Sequence, residues 1–126
     1  MTLSPYLSLL GVTIEPDGDG PTLLMPFGDE VIGRPGFLHG GAIAGLVEAA
    51  AIAAVRQALD GQGGGRIKPI NVTVDFLRGG RNKPTRAAGI VTRLGTRIAN
   101  VEASAWQDDR AQPIAQAGLT YLVERG

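Results

Sequence analysis

The feature that most limits how this chain can fold is residues 40–59, GGAIAGLVEAAAIAAVRQAL. Ala, Leu, Ile and Val dominate, no proline interrupts, and Glu48 is the one charge before Arg56. A helix that is apolar on nearly every side has to be buried. It is therefore expected as a central element wrapped by a sheet, with Gly61 as its stop after Asp60. Its most apolar part, residues 42–55, is broken by Glu48. That part falls short of the roughly 20 residues that cross a bilayer, so a core helix is expected and no membrane partner.

The remainder supplies the sheet. Residues 3–10 place Leu3, Tyr6, Leu7 and Leu10 at helical spacing, with Ser4-Pro5 as a start and Gly11 as a stop. Val12-Thr13-Ile14 and Thr22-Leu23-Leu24-Met25 flank Asp17-Gly18-Asp19-Gly20, the pattern of an antiparallel hairpin. Residues 28–38 are rich in Gly and Pro and are expected as a loop. Beyond Gln62-Gly63-Gly64-Gly65, a period of two sets Ile70, Val72, Val74 and Phe76 against Asn71, Thr73 and Asp75, which predicts a strand. Residues 84–94, 97–107 and 114–123 complete the set. The chain of 126 residues has room for one domain, 1–126. The expected class is α+β, a long central helix wrapped by five or six mostly antiparallel strands.

Composition excludes several chemistries. There is no cysteine and one histidine, so neither a disulfide framework nor a metal centre within one chain is expected. The opening MTLSPYLSLLGV lacks the basic and apolar regions of a secretory signal, so a cytoplasmic protein is expected. Charge balances overall, yet residues 66–97 carry eight cations and one acid, Asp75, a net +7 against −7 elsewhere. Ten of the twelve cations are Arg, whose planar fork suits phosphate oxygens; a solvated strand face explains the same asymmetry. With two Tyr, three Phe and one Trp there is no base-stacking cluster, and no nucleic-acid partner is expected.

The residues that carry chemistry are His39-Gly40-Gly41 and Glu48. A carboxylate in an apolar helix is costly unless paired or used, and desolvation of such a group makes a base that works near neutrality. The alternative is a Glu that snorkels to an edge or pairs with Arg56 or another arginine. Gly40 and Gly41 at a helix mouth leave backbone N–H groups able to bind an anion or polarise a carbonyl, although such a pair is also an ordinary turn or N-cap device. His39 reads equally as a hydrogen-bonded structural residue. Nine helical residues put Glu48 about 180° around the axis from His39 and about 13 Å along it. One site using both points to a symmetric dimer, with the helix mouth of one subunit facing Glu48 of the other. Ala44, Gly45, Ala51 and Ile52 neighbour Glu48, and the small ones leave space for a ligand.

The runs GRPGFLHGGAIAGLVEAAAIAAV, INVTVDFLRGG and GIVTRLGTRIANVEASAWQ resemble the hotdog-fold acyl-CoA thioesterases of the phenylacetate-degradation (PaaI-like) type. That pattern is HGG with an acid nine residues after the His in the long helix, and the resemblance covers about residues 28–124. It implies hydrolysis of an acyl-CoA thioester, with Glu48 as general base or nucleophile, the Gly40 amide polarising the thioester carbonyl and His39 fixing the helix mouth. It implies CoA as part of the substrate rather than a cofactor, and a homodimer, commonly within a homotetramer. Substrate would be touched by Gly41, Gly33, Ile52, Asn71 and Thr73, and CoA phosphates by Arg78, Arg81 and Lys83. Phe27, Phe37 and Trp106 join Ile52 as candidates for lining the acyl pocket.

This sequence departs from the pattern at Gly33, where family members carry Asn or Gln. It departs again at Ile52 and Pro69, where some relatives carry a hydroxyl; Asn71, Thr73 or Arg34 could substitute. The rival readings are a hotdog dehydratase or hydratase, a non-catalytic acyl-CoA-binding protein and a bare oligomeric scaffold. Gly40-Gly41 directly after the His favours the thioesterase pattern, and Gly33 favours the binding protein.

Overall fold

A computed structural model describes residues 4–17 and 20–125. Helix α1 (Pro5–Leu9) starts at Ser4, whose hydroxyl accepts from the Leu7 N–H, and ends before Gly11 at φ 72°. Strands β1 (Thr13–Asp17) and β2 (Gly20–Met25) pair antiparallel as the hairpin signal implied. Leu3 and the turn residues Gly18 and Asp19 lie outside the described residues. Helix α2 (Gly40–Asp60) follows, then β3 (Gly65–Phe76), β4 (Thr85–Leu94), β5 (Ile98–Trp106) and β6 (Ala115–Arg125). The strands form one antiparallel sheet in the order β1-β2-β4-β5-β6-β3. This is the α+β hotdog fold, with six strands.

The sheet must curve. Five adjacent strands, β2 through β3 in sheet order, all pack against α2. Laid flat they would span about 19 Å, whereas a helix with its side chains is about 10 Å across. Small residues permit the close seating: Ala87, Ala99, Ala103, Ala105, Ala115 and Ala117 line the inner face, opposite Ala49, Ala50, Ala51 and Ala53 of α2. Closest is Gly89 of β4, where an added Cβ would lie 3.0 Å from the Ala50 carbonyl oxygen and 3.1 Å from the Ala51 Cα.

Four expectations change. By length and composition the 21-residue α2 is long and apolar enough to cross a bilayer, contrary to the shorter estimate from residues 42–55, yet ten of its residues are buried. Nor is α2 buried all round: Ala44, Gly45, Glu48 and Ile52, which recur at helical spacing on one side, are half-buried. The segment 28–38 is not wholly irregular, because Asp29–Val31 forms a 3₁₀ turn and Ile32 bridges Leu38. The strand starting near Ile70 begins five residues earlier, at Gly65, and carries an irregularity between Pro69 and Asn71. It is an edge strand, so most of its apolar side chains stay exposed: Ile70 56%, Val72 40% and Phe76 55%.

Gly89→Val forces α2 off the sheet against backbone atoms. It should destabilise the protein by about 1–3 kcal/mol in denaturant unfolding. Gly118→Ala on the opposite face of β6, where an added Cβ meets nothing within 4 Å, should leave the midpoint nearly unchanged.

Candidate active site

The mouth of α2 is built by the loop before it. His39 is the N-cap, with extended backbone, and its Nδ1 accepts the Gly41 N–H at 2.9 Å. The missing Cβ of Gly41 makes room for that imidazole, since an added carbon would lie 2.9 Å from the ring. The loop is latched by the His39 N–H donating to the Val31 carbonyl at 2.7 Å and the Leu38 N–H to the Gly80 carbonyl at 3.0 Å. One of the two glycine amides is therefore spent on the cap. The Gly40 N–H has no hydrogen-bond partner among the described residues and remains available, at the positive end of the helix dipole.

Gly33 explains itself sterically. Its Cβ would stand 3.0 Å from the His39 Cα and 3.3 Å from the His39 nitrogen, so a side chain there requires the cap backbone to give by a few tenths of an ångström.

Beside Gly40 opens a groove of about 360 Å³, lined among others by Phe37, Ile43, Phe76, Leu77, Arg34 and Arg78. The Arg34 and Arg81 guanidiniums both lie over the Phe37 ring, 4.0 and 4.3 Å from its centroid, cation–π contacts that hold both heads near the groove. Arg78 donates to the Gln112 side chain at 3.3 Å, and Lys83 is engaged by both Asp108 carboxylate oxygens at 2.8 Å. Of the three proposed phosphate ligands, Lys83 alone has an anionic partner among the described residues. Another hollow, about 580 Å³, lies toward the other end of α2, beside Gln57 and Ala58, and contains none of the sequence-selected groups.

Glu48 is half-buried on the open flank of α2 and makes no hydrogen bond or ion pair among the described residues; neither Arg56 nor another arginine neutralises it. Ile52 stands one turn further along the same side, also half-buried. Asn71 and Thr73 do not join them. They pair with Thr120 and Gly118, residues out of phase with the buried Ala117, Leu119 and Tyr121, so they lie on the sheet face turned away from α2. There the Thr73 hydroxyl donates to the Asn71 side chain at 3.4 Å. Trp106 is buried on β5 under the Arg110 guanidinium, 4.7 Å from the ring centroid, and Phe27 lies at the surface. Phe37 alone of the proposed acyl-pocket residues lines the groove beside Gly40. Among the described residues no cluster of His and acids could hold a metal.

Two tyrosines escaped the sequence reading. The Tyr6 ring lies over Gly45, where a Cβ would come within 2.7 Å, and its hydroxyl donates to the Gly41 carbonyl at 3.3 Å. Tyr121 is fully buried, and its hydroxyl has no hydrogen-bond partner among the described residues. Burial first, and the Glu48 carboxylate second, push that hydroxyl well above the ordinary tyrosine range. Its signal was present in the sequence, because Leu119, Tyr121 and Val123 share the inward phase of a strand and a hydroxyl there is costly without a partner, about 1–3 kcal/mol.

The sequence profile of the thioesterase superfamily matches residues 35–114, which span the helix mouth, α2 and β3 through β5. The chain belongs to the thioesterase superfamily. Thioester hydrolysis in general is the activity that membership supports. Among solved structures, a Chromobacterium violaceum protein is 32% identical, with TM-score 0.75, over 94% of this chain and 82% of that one. A Bacillus halodurans protein solved with CoA is 20% identical, with TM-score 0.81, over 98% and 81%. A phenylacetic acid degradation-related protein from Ralstonia eutropha is 19% identical, with TM-score 0.81, over 98% and 92%. At the last two identities the likeness is one of fold. No curated protein matches the chain.

His39→Ala removes the N-cap acceptor and should cost about 1 kcal/mol in thermal or denaturant unfolding, while His39→Asn, which can still cap, should recover most of it.

Proposed function

We propose that the protein is a PaaI-like acyl-CoA thioesterase, cleaving an acyl-CoA into free acid and CoA without a cofactor. The observation that carries this is the Glu48 carboxylate, unpaired among the described residues and the one charge in the first four turns of an apolar helix whose open flank it occupies. A carboxylate kept there at a solvation cost and left without a counter-ion is free to act as general base or nucleophile. The Gly40 amide is the oxyanion donor: it is unclaimed, points from a helix N-terminus and borders a groove. Gly41 contributes through the cap, with His39 fixing the geometry of the mouth. Ile52 borders the acyl group beside Glu48.

Distance makes the reading a two-subunit one. Gly40 and Glu48 are eight helical residues apart, about 12 Å along the axis. A reacting carbonyl needs both its donor and its nucleophile at about 3 Å. The helix mouth of one subunit must therefore serve the Glu48 of another, as in a symmetric homodimer. The edge strand β3 supports this, with unpaired backbone groups along one side and exposed Ile70, Val72 and Phe76, a surface that natural proteins cover. Asn71 and Thr73, turned away from their own helix, would reach substrate only in such an assembly, and pairs of dimers forming a homotetramer belong to the same reading. Arg78 and Arg81, with Lys83 once released from Asp108, take the CoA phosphates; CoA bound to the Bacillus halodurans relative supports the ligand class. A cytoplasmic location goes with a CoA-ester substrate and a chain without cysteine.

A second reading, an acyl-CoA-binding protein without turnover, is favoured by Gly33, which brings no side-chain amide to position the substrate.

Glu48→Gln should lower kcat/KM by about 10²–10⁴-fold in a thiol-release assay across aryl and aliphatic acyl-CoAs. Unchanged turnover would remove Glu48 from the reaction, and CoA binding with no thiol release by the unmodified protein would favour the second reading. Val72→Lys, placing a charge on the exposed edge, should shift the oligomer toward monomer in sedimentation and abolish turnover together. An active monomer would refute the shared site.

A further inference from the structure

Tyr6 shares one side of α2 with Glu48. Gly41, Gly45, Glu48 and Ile52 recur at i, i+4, i+7 and i+11 along the helix. The Tyr6 ring covers the start of that strip: its hydroxyl donates to the Gly41 carbonyl at 3.3 Å, and its Cε2 stands 2.7 Å from where a Cβ on Gly45 would lie. Helix geometry carries the strip on to Glu48. Side chains lean toward the helix N-terminus, over the residues three and four positions back, which for Glu48 are Gly45 and Ala44. Cβ positions three residues apart are about 5–6 Å from one another, so the ring edge is within about 9 Å of the Glu48 Cβ. Neither side chain is closed off, with Tyr6 47% exposed and Glu48 half-buried. Glycine inside a helix is less stable than alanine, yet alanine at 45 would displace the ring. The helix thus gives up stability to seat an aromatic ring one turn from the carboxylate.

We propose that Tyr6 is a specificity-determining residue of the acyl site: its ring walls the strip on one side of Glu48, Ile52 walls it on the other, and the substrate carries a short acyl group that fits between them. This rests on the reading of Glu48 as base or nucleophile. Gly45 and Ile52 are seven residues apart, about 10 Å along the axis, and the ring and the Ile52 side chain each take up part of that length. An acyl chain whose carbonyl is held against Glu48 meets one wall or the other within a few carbons. A butyryl group fits the interval, and a decanoyl chain has no course along the helix.

The test is Tyr6→Ala in the full-length oligomer, assayed on butyryl-CoA and decanoyl-CoA. The decanoyl to butyryl ratio of kcat/KM should rise about tenfold, with butyryl-CoA itself within about threefold of the wild type. Because both esters are read on the same variant, a partly unfolded sample cancels from the ratio. Tyr6→Phe, which keeps the ring and loses the hydrogen bond to Gly41, should keep the wild-type ratio. Calorimetric binding of the same esters to Glu48→Gln, with and without Tyr6→Ala, reads the wall without turnover, and the ratio of Kd values should shift in the same direction. An unchanged ratio in Tyr6→Ala overturns the assignment, and so does an equal fall for both esters, the result of a ring that only anchors α1. A Tyr6→Phe ratio matching that of Tyr6→Ala overturns it as well. Full turnover by Glu48→Gln defeats the reaction reading instead, and the binding ratio then still decides the role of Tyr6.

Discussion

The seating of α2 on small residues governs everything else in this molecule. Buried alanines stand on both α2 and the inner face of the sheet, and at Gly89 the strand approaches the helix backbone itself. Close approach lets five strands curve around one helix and bury Leu46, Val47 and Val55 completely. It also sets what is left over. A sheet that wraps one side of a helix cannot close over the other, so a strip bearing Ala44, Gly45, Glu48 and Ile52 stays half-covered. Glu48, the proposed base, sits where the packing runs out.

Much of this was legible in the sequence because periodicity reports burial. Strands were expected at 97–107 and 114–123, and β5 (Ile98–Trp106) and β6 (Ala115–Arg125) lie there, with Ala99, Val101, Leu119 and Val123 buried in one phase. The hairpin and the long helix followed from an Asp-Gly turn and an apolar run with no proline in it. What local patterning could not supply was sheet order. Ile70, Val72 and Phe76 have the same alternation as a covered strand, yet β3 lies at the sheet edge beyond β6, largely outside the reach of the helix. Period two gives a face; only long-range pairing says whether anything covers it.

The candidate site was legible in part, for a related reason. His39, Gly40 and Glu48 stand on one continuous helix, and their separation along its axis follows from helix geometry alone. The division of labour between the two glycines did not follow, since it depends on the His39 imidazole turning back to take the Gly41 amide and leaving the Gly40 amide open. Asn71 and Thr73 were chosen by chemistry, and the strand register turned them to the outer face. Tyr121 was overlooked because a tyrosine in an inward phase reads as core until its oxygen is asked for a partner.

The basic segment shows how three-dimensional pairing redistributes a charge that sequence can only sum. Of its eight cations, Arg66 meets Glu124 at 4.0 Å with both side chains largely exposed, a contact worth little. Arg86 is tied to Glu15 across β1 and β4, and Lys83 is neutralised by Asp108. Arg81 instead lies against Phe37 together with Arg34, a residue outside the basic segment, and neither has an acidic partner among the described residues. Lys68, Arg93 and Arg97 likewise have no ion-pair partner among the described residues, so the unspent charge is divided, and the share held by Arg34, Arg78 and Arg81 lies by the groove at the mouth of α2, where the helix dipole adds to it. An anionic ligand drawn to that corner would lie next to the free Gly40 amide, so the field that attracts the ligand and the donor that polarises it share one end of one helix.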